Sequence, residues 1–299
     1  MRLAAAAVML AALAVGSSSA ARPATAPAKG PCGFRAGTPV KVSHVIWIWF
    51  ENHAAGEIVA NPAAPRTTRL AGECGFAASY YAVAHPSLPN YLAATSGGTQ
   101  GVTDDGPPSA HPVHSMSLFA QAASARSYEE SMPAPCALTD TYPYATKHNP
   151  EAYYLGARAR CRTGDVPLGT TKHGALATAL ANESLPAFSF VTPNLCNDMH
   201  DCSVATGDAW LGTWLSTITR SRSYRAGNTV VFVAWDEDDG SAANRVPLLV
   251  ISPWTRPGTR SNTRFTHYSL LRTTEELLGI RAHLGNAATA TSLRSAFGL

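Results

Sequence analysis

The chain has 299 residues, of which 45% are hydrophobic and 14% are charged. A chain of this length and composition can bury a sizeable core, which excludes an intrinsically disordered protein. The formal net charge is only +3, and lysine and arginine are scattered without runs. We therefore expect no nucleic acid among the partners of this protein.

The first residues have the pattern of a bacterial export signal. Arg2 precedes an apolar stretch over residues 3–15, and small residues follow up to Ala21, where a signal peptidase would cut. The stretch is shorter than the roughly 20 apolar residues of a membrane span, so we expect a secreted protein without stable membrane insertion after cleavage. An uncleaved anchor is the alternative. We predict a signal peptide over residues 1–21, a linker over 22–40 and one domain over 41–299.

The six cysteines agree with export. They form an even set without any Cys-x-x-Cys pair, which favours disulfide bonds over a zinc site or a redox dithiol. Several pairings are possible for six cysteines. We expect the pairing in chain order: Cys32 with Cys74, Cys136 with Cys161, and Cys196 with Cys202.

The pattern along the chain alternates between strands and helices. Strands are predicted at residues 42–50, 77–83, 185–191, 229–235 and 246–252. Helices are predicted at residues 67–73, 89–95, 115–123, 172–180, 208–220 and 268–278. Because continuous apolar strands are buried on both faces, this pattern predicts an α/β fold with a mainly parallel central sheet between helices. Two Gly/Pro-rich stretches, 97–114 and 131–168, are predicted to be loops over a functional site.

Residues 85–91, with the sequence HPSLPNY, indicate a nucleophile at the start of a helix. A strand-like run precedes them and a helix-compatible run follows, so Ser87 lies where a strand turns into a helix. The free N–H groups of a first helical turn bind phosphate well, and Pro89 suits such a turn because it lacks an N–H. The alternative is a proline-rich turn in which Ser87 only caps the helix.

Polar side chains follow several of the predicted strands, at the edge where ligands bind in open α/β sheets. They are Glu51 and Asn52, Asp198 and His200, and Asp236 and Glu237. His267 opens the last long helix. Oxygen ligands with histidines nearby suit a divalent cation in phosphoryl transfer. Each of these residues also has a structural alternative. Glu51 and Asn52 could lie in a solvated turn, and Asp236 and Glu237 in an acidic turn or a calcium loop, although the EF-hand spacing is lacking. Asp198 and His200 could be surface residues of a disulfide loop, and His267 a packed histidine.

Five motifs together resemble a known family. Residues 49–53, 85–91, 192–201, 235–238 and 267–273 are similar to those of the bacterial phosphoesterases that include secreted acid phosphatases and phosphocholine-specific phospholipases C. The resemblance covers residues 42–297. It implies an alkaline-phosphatase-like fold, a single catalytic domain and a small phosphorylated substrate. Oligomeric state stays open.

The resemblance also implies roles for individual residues. Ser87 would be the nucleophile that forms a phosphoserine, and Asn90 would donate to a phosphate oxygen. His200 or His267 would protonate the leaving group, and His85 and His148 are further candidates for contact with phosphate.

A divalent cation is implied as the cofactor, with Ca, Mg, Mn and Zn not distinguished. Its expected ligands are Glu51, Asn52, Asp236 and Glu237. Asp198 is a further candidate ligand, but its spacing from His200 differs from that of the Asp and His at the second metal of two-zinc enzymes. We therefore expect one metal ion.

The function that follows is a secreted acid phosphatase acting on phosphate monoesters. A phospholipase C-type phosphodiesterase is the alternative within the family. A serine esterase of the α/β-hydrolase type would need a G-x-S-x-G elbow, which the chain lacks. An inactive secreted binding protein would be expected to have lost Ser87 or a ligand, and all are present.

Overall fold

A computed structural model describes residue 1, residues 30–39 and residues 41–299. The predicted signal peptide, apart from residue 1, and the first part of the predicted linker lie outside the described residues. Within the described ranges, we find no helix with the length and apolar character needed to cross a membrane.

Ten strands are present in the described residues. They are β1 His44–Phe50, β2 Gly75–Ala77, β3 Tyr80–Tyr81, β4 Ala125–Glu129, β5 Asp165–Pro167, β6 Phe188–Thr192, β7 Thr229–Trp235, β8 Leu248–Ile251, β9 Thr259–Ser261 and β10 Phe265–Thr266. Eight of them form one sheet in the order β5-β4-β6-β1-β7-β8-β2-β9, and β3 pairs with β10.

The helices of the described residues pack around this sheet. The α-helices are α1 Ala55–Ile58, α2 Pro65–Glu73, α3 Ser87–Ser96, α4 Leu118–Gln121, α5 Cys161–Gly164, α6 Ala175–Ala181, α7 Val204–Arg220, α8 Arg222–Arg225, α9 His267–Leu277 and α10 Arg294–Phe297. Short 3₁₀ segments are Thr146–His148, Pro150–Tyr153, Leu155–Arg160 and Gly285–Ala288.

The predicted fold class is confirmed. Strands β5, β4, β6, β1 and β7 pair in parallel, and β8 is antiparallel to both of its neighbours, β7 and β2. All seven residues of β7 and six of the seven in β1 are buried, as expected of strands covered by helices on both faces. The carboxyl ends of β6, β1 and β7 therefore meet at one edge of the sheet.

The predicted elements agree best where the sequence is apolar. Strand β7 coincides with the prediction for residues 229–235, and β1 begins two residues later than predicted. The prediction that residues 131–168 form a loop was incomplete, because this stretch contains β5, α5 and three 3₁₀ segments. Strand β4 was missed because its sequence, ARSYE, is polar although its last three residues are buried. The helix predicted at 115–123 is shortened to α4.

The three predicted disulfide bonds are confirmed. Cys32–Cys74 joins the N-terminal segment to the end of α2, and Cys136–Cys161 joins the loop after β4 to the start of α5. Cys196–Cys202 closes a tight loop after β6. Disulfide bonds of this kind are typical of proteins that fold in an oxidising compartment.

A cluster of buried carboxyl groups lies between β4, β5 and the segment Pro150–Tyr153. Asp165 accepts hydrogen bonds from Asn149 Nδ2 at 2.9 and 3.1 Å. Glu151 is buried, and its Oε1 lies 3.4 Å from Arg160 Nη2. Burial, together with repulsion by Glu151, raises the pKa of Asp165 to about 8. Burial likewise raises the pKa of Glu151 to about 7, although Arg160 opposes this shift.

These raised pKa values predict that the protein is more stable in mild acid. Above the unfolded-state pKa values the folded protein binds more protons, so the free energy of unfolding should fall from about pH 5 to about pH 8. Asp165→Asn removes one titrating group and should reduce this fall by at least about 1.4 kcal/mol, which corresponds to one pKa unit. Urea unfolding at several pH values measures it. Glu183→Gln changes an exposed carboxylate beside Arg222, and its free energy of unfolding should fall with pH as much as that of the wild type. The same fall in Asp165→Asn would contradict a protonated Asp165.

Candidate active site

The motif HPSLPNY forms a tight turn that leads into helix α3. The helix begins at Ser87, two residues earlier than predicted, and Pro86 provides no side-chain cap. The buried amide of Asn90 holds the turn: its Oδ1 accepts from Val83 N and Ala84 N at 3.0 Å, and its Nδ2 donates to Ala84 O and Pro86 O at 2.9 and 3.2 Å. Both N–H groups of Asn90 are thus engaged with the turn in this geometry.

Ser87 lies against two carboxylates. Its hydroxyl is within hydrogen-bonding distance of Glu51 Oε2, at 2.9 Å, and of Glu237 Oε1, at 3.3 Å. Ser87 and Glu51 are buried, and Glu237 is nearly so. The residue predicted to be the nucleophile therefore contacts two carboxylates, which are potential bases. The fold therefore brings these three predicted site residues together from distant parts of the sequence.

The register of the central strands brings the acidic residues together. Phe50 in β1 pairs with Trp235 in β7, so Glu51 and Asp236 leave the sheet side by side. Asp236 N donates to Phe50 O at 3.0 Å. Asn52 adopts a left-handed φ of 51° and donates its own N–H to Asp236 Oδ1 at 3.1 Å.

His148 lies between the carboxylates of Glu51 and Asp198. Its Nε2 is 3.3 Å from Glu51 Oε1 and its Nδ1 is 3.2 Å from Asp198 Oδ2. Burial opposes the charged imidazolium, but attraction by Glu51 and hydrogen bonding with Asp198 outweigh it and raise the pKa of His148 to about 10. The ring stacks on Tyr91, whose hydroxyl donates to Glu51 Oε1. His148 is therefore a counter-charge to the buried carboxylates.

Negative charge remains in excess at the end of β7. Burial, and then repulsion by Glu51 and Glu237, raises the pKa of Asp236 well above its usual range. Asp236 Oδ2 is buried and has no hydrogen-bond partner in the described residues. Carboxylates buried this closely cost free energy unless a positive charge lies among them. The donor set of hard oxygens therefore fits a divalent cation in its chemistry.

The distances do not form a preassembled metal centre. Across the described ranges, no group of three or more His, Cys, Asp or Glu side chains is arranged to hold a metal ion as it stands. The Ser87 hydroxyl, an oxygen donor outside that set, contacts Glu51 and Glu237.

The remaining predicted histidines occupy different environments. His85 is half exposed, with Nδ1 2.5 Å from Glu237 Oε2 and Nε2 3.3 Å from Asp238 Oδ1. His267 begins α9 and is fully buried: Tyr80 OH donates to its Nδ1 at 2.7 Å, and its Nε2 donates to the carbonyl oxygen of Asp236 at 2.6 Å. Burial lowers the pKa of His267 to about 4. Its ring therefore stays neutral in mild acid, with both nitrogen atoms engaged.

His200 lies at the rim, within the loop closed by Cys196–Cys202. Its backbone N–H donates to Asp198 Oδ1 at 2.8 Å, and its ring Nδ1 is 2.7 Å from Asp201 Oδ1. Lys147 Nζ is 3.4 Å from the other ring nitrogen, Nε2. His200 is thus the predicted acid whose ring reaches the partly exposed side of the site.

Three residues near Ser87 were missed by the sequence analysis. Tyr91 lies in the same motif, one helical turn after Ser87, and this spacing could have identified it. Lys147 and Asp105 come from the two long loops, where the sequence offers no periodicity. Both loops thus reach the site, as predicted.

Comparison with known proteins identifies the family of this chain. A sequence model of the phosphoesterase family matches residues 57–281. The chain belongs to the phosphoesterase family. It is therefore a hydrolase that acts on phosphoric ester bonds, as the names of its relatives also indicate.

Two named relatives are phosphatases. This phosphoesterase is 34% identical over 242 residues to a phosphatidylinositol-3-phosphatase of Mycobacterium tuberculosis, covering 80% of this chain and 77% of the relative. It is 29% identical over 241 residues to an acid phosphatase of Aspergillus fumigatus, covering 75% of this chain and 52% of that relative. The chain thus spans about half the length of the fungal protein.

Solved structures confirm the predicted fold family. A protein of the alkaline phosphatase superfamily from Vibrio parahaemolyticus aligns with a TM-score of 0.55 at 14% identity, over 85% of this chain and 72% of that chain. At this identity the similarity shows the fold alone. It agrees with the mostly parallel central sheet.

Proposed function

We propose that this phosphoesterase is a secreted, metal-dependent acid phosphatase that hydrolyses phosphate monoesters through a phosphoserine, and that residues 41–299 form its one catalytic domain. The observation that carries the proposal is the Ser87 hydroxyl, buried at the start of α3 and held by Glu51 and Glu237 at 2.9 and 3.3 Å. The names of the two relatives favour a phosphatase over a phospholipase C-type diesterase.

The first step is attack of Ser87 Oγ on the phosphorus atom. The hydroxyl proton passes to one of the two carboxylates that contact it, a new O–P bond forms, and the bond from phosphorus to the ester oxygen breaks. The leaving alkoxide takes a proton. Water then attacks the phosphoserine, releasing inorganic phosphate and restoring the Ser87 hydroxyl.

The chain's own residues fix this geometry. Asn90 holds the turn that presents Ser87, and the free N–H groups at the start of α3 offset negative charge on the phosphoryl oxygens. Tyr91 and His148 hold the Glu51 carboxylate from the other side. Asn90 therefore supports the site through the turn, and its proposed direct contact with phosphate would require one of its N–H groups to be released.

The expected metal ligands are Glu51, Asn52, Asp236 and Glu237, with Asp198 next to them. The fit rests on the unpartnered, buried Asp236 Oδ2 and on carboxylates that lack enough counter-charge. A bound divalent cation would supply Lewis-acid stabilisation of negative charge on the reacting oxygen atoms. Members of this superfamily generally depend on metal ions, which supports the assignment.

His200 is the residue we propose as the acid for the leaving group. Its ring lies on the partly exposed side of the site, whereas His267 is fully buried and burial lowers its pKa to about 4, so that its ring stays neutral in mild acid. We propose that His267 instead fixes the backbone of Asp236. His85, held by Glu237 and Asp238 and half exposed, stays the candidate for contact with the departing group or with phosphate.

Replacement of the nucleophile gives the first test of this proposal. Ser87→Ala should fold normally and lower the turnover number by at least about 1,000-fold, because no phosphoserine can form. Mass spectrometry after acid quenching should find phosphate on Ser87 in the wild-type protein. Ser96→Ala, at the other end of α3, should keep activity within a few-fold. Near-normal turnover in Ser87→Ala would contradict the assignment of Ser87 as the nucleophile.

The metal assignment predicts a shared loss of activity and bound metal. Glu51→Gln and Asp236→Asn should each abolish activity and reduce the metal content measured by elemental analysis. The double variant should be little worse than either single one, because both changes remove the same unit. Asp239→Asn changes an exposed carboxylate of the same loop and should keep both the activity and the metal content of the wild type. A wild-type enzyme that is fully active after exhaustive chelation would contradict the proposal.

The acid role predicts a dependence on the leaving group. His200→Ala should lose much more activity on an alkyl phosphate than on an aryl phosphate, because an aryl leaving group needs less protonation. His267→Ala should lose similar activity on both esters, since its proposed role is to position Asp236. Equal losses on both substrates for His200→Ala would show that another group protonates the leaving oxygen.

A further inference from the structure

A carboxylate that the proposed reaction does not use closes the turn around Ser87. The first loop, residues 97–114, carries Asp105 to the start of α3. Its Oδ1 accepts a hydrogen bond from Leu88 N at 2.9 Å, and its Oδ2 accepts one from Lys147 Nζ at 3.1 Å. Asp105 therefore bridges a free N–H of the first helical turn and a lysine from the second loop.

These two donors are the ones that a phosphoryl group at Ser87 would use. Leu88 N–H immediately follows Ser87 in a ten-residue helix whose N-cap residue, Pro86, provides no side-chain cap. Lys147 is a cation next to His148, and the attraction of Glu51 and Asp105 raises its pKa although burial opposes this. Two oxygen atoms of one anion on these two donors are what a bound phosphoryl group would present.

The position of Asp105 allows it to leave. Its side chain is 28% exposed and that of Lys147 is 22% exposed, so both lie at the mouth of the site. Glu51 and Asp236, in contrast, are fully buried at the ends of central strands. Displacing Asp105 would return its carboxylate to water at little cost, whereas displacing either buried carboxylate would disrupt the sheet edge.

We propose that Asp105 is an internal competitor for the phosphate-binding position, and that the phosphoryl group of the substrate displaces it from Leu88 N–H and Lys147 Nζ. This inference rests on the proposed function of Ser87. The apparent affinity for phosphate is then the intrinsic affinity multiplied by the fraction of protein in which the two donors are free. Asp105 thereby weakens the binding of inorganic phosphate and limits inhibition by the product.

The test is the affinity for inorganic phosphate in Asp105→Asn. The amide removes the negative charge but keeps one oxygen acceptor for Leu88 N–H, so the fold should persist. The dissociation constant, measured by competitive inhibition of aryl phosphate hydrolysis and by calorimetry in the Ser87→Ala background, should fall roughly tenfold. Asp105→Ala is the second variant, and it should also bind phosphate more tightly.

Two further variants make the test specific. Lys147→Met should weaken phosphate binding roughly tenfold, and the gain from Asp105→Asn should shrink in its presence, because the two residues act through one contact. Asp104→Asn is the matched control: this neighbouring carboxylate pairs with His111 and is 64% exposed. Its phosphate affinity should equal that of the wild type.

The outcomes separate the two levels of the proposal. Unchanged or weaker phosphate binding in folded Asp105→Asn and Asp105→Ala would overturn the inference, since Asp105 would then orient Lys147 while phosphate is bound. Wild-type protein that binds phosphate by calorimetry but releases none from esters would overturn the proposed function and leave the Asp105 comparison decisive. Wild-type protein without either property would overturn both.

Discussion

The burial of negative charge at the carboxyl ends of β1 and β7 is the constraint on which the site depends. The two strands end in register, so Glu51 and Asp236 enter the same small volume. Burying carboxylates costs several kcal/mol each unless opposite charges and hydrogen bonds offset it. His148 and Tyr91 offset the charge of Glu51. The Oδ2 atom of Asp236 has no such partner in the described residues.

This incomplete compensation has two consequences. It destabilises the free protein locally, and it gives the same place a strong preference for positive charge. In the proposed function, a divalent cation bound among these carboxylates would offset their charge and would allow a phosphate monoester to approach. The Ser87 hydroxyl contacts Glu51 and Glu237 and therefore lies within this excess of negative charge.

The polar side chains of the site lie at two levels of burial. The acidic residues at the strand ends are buried, whereas Lys147, His85 and His200 lie at the partly exposed rim. Asp105 neutralises Lys147 in the free protein and holds the N–H that a phosphoryl oxygen would take. In the proposed exchange, a substrate anion would replace Asp105 at the rim, while the buried residues stay fixed by the sheet.

Loops supply residues of the rim, and disulfide bonds constrain part of these loops. The Cys196–Cys202 loop carries Asp198 and His200, and the backbone oxygen of Asp198 accepts from Glu51 N at 3.0 Å. That bond joins the loop after β6 to the end of β1. The loop 131–168 carries Lys147 and His148, and Cys136–Cys161 closes it near the sheet edge.

The sequence by itself determined the fold class and the motifs, because apolar runs and the segment HPSLPNY are local signals. Its even set of cysteines predicted disulfide bonds, but six cysteines allow several pairings, and only the structure fixed the pairing in chain order. It also predicted that Ser87, Glu51, Asp236 and Glu237 converge, since parallel strands place their carboxyl ends at one edge. The environments of the histidines were decided only by the tertiary structure. A ring's charge depends on burial and on partners distant in sequence, which separate the enclosed His267, the ion-paired His148 and the rim residue His200. Lys147 and Asp105 meet only because two irregular loops fold over the start of α3.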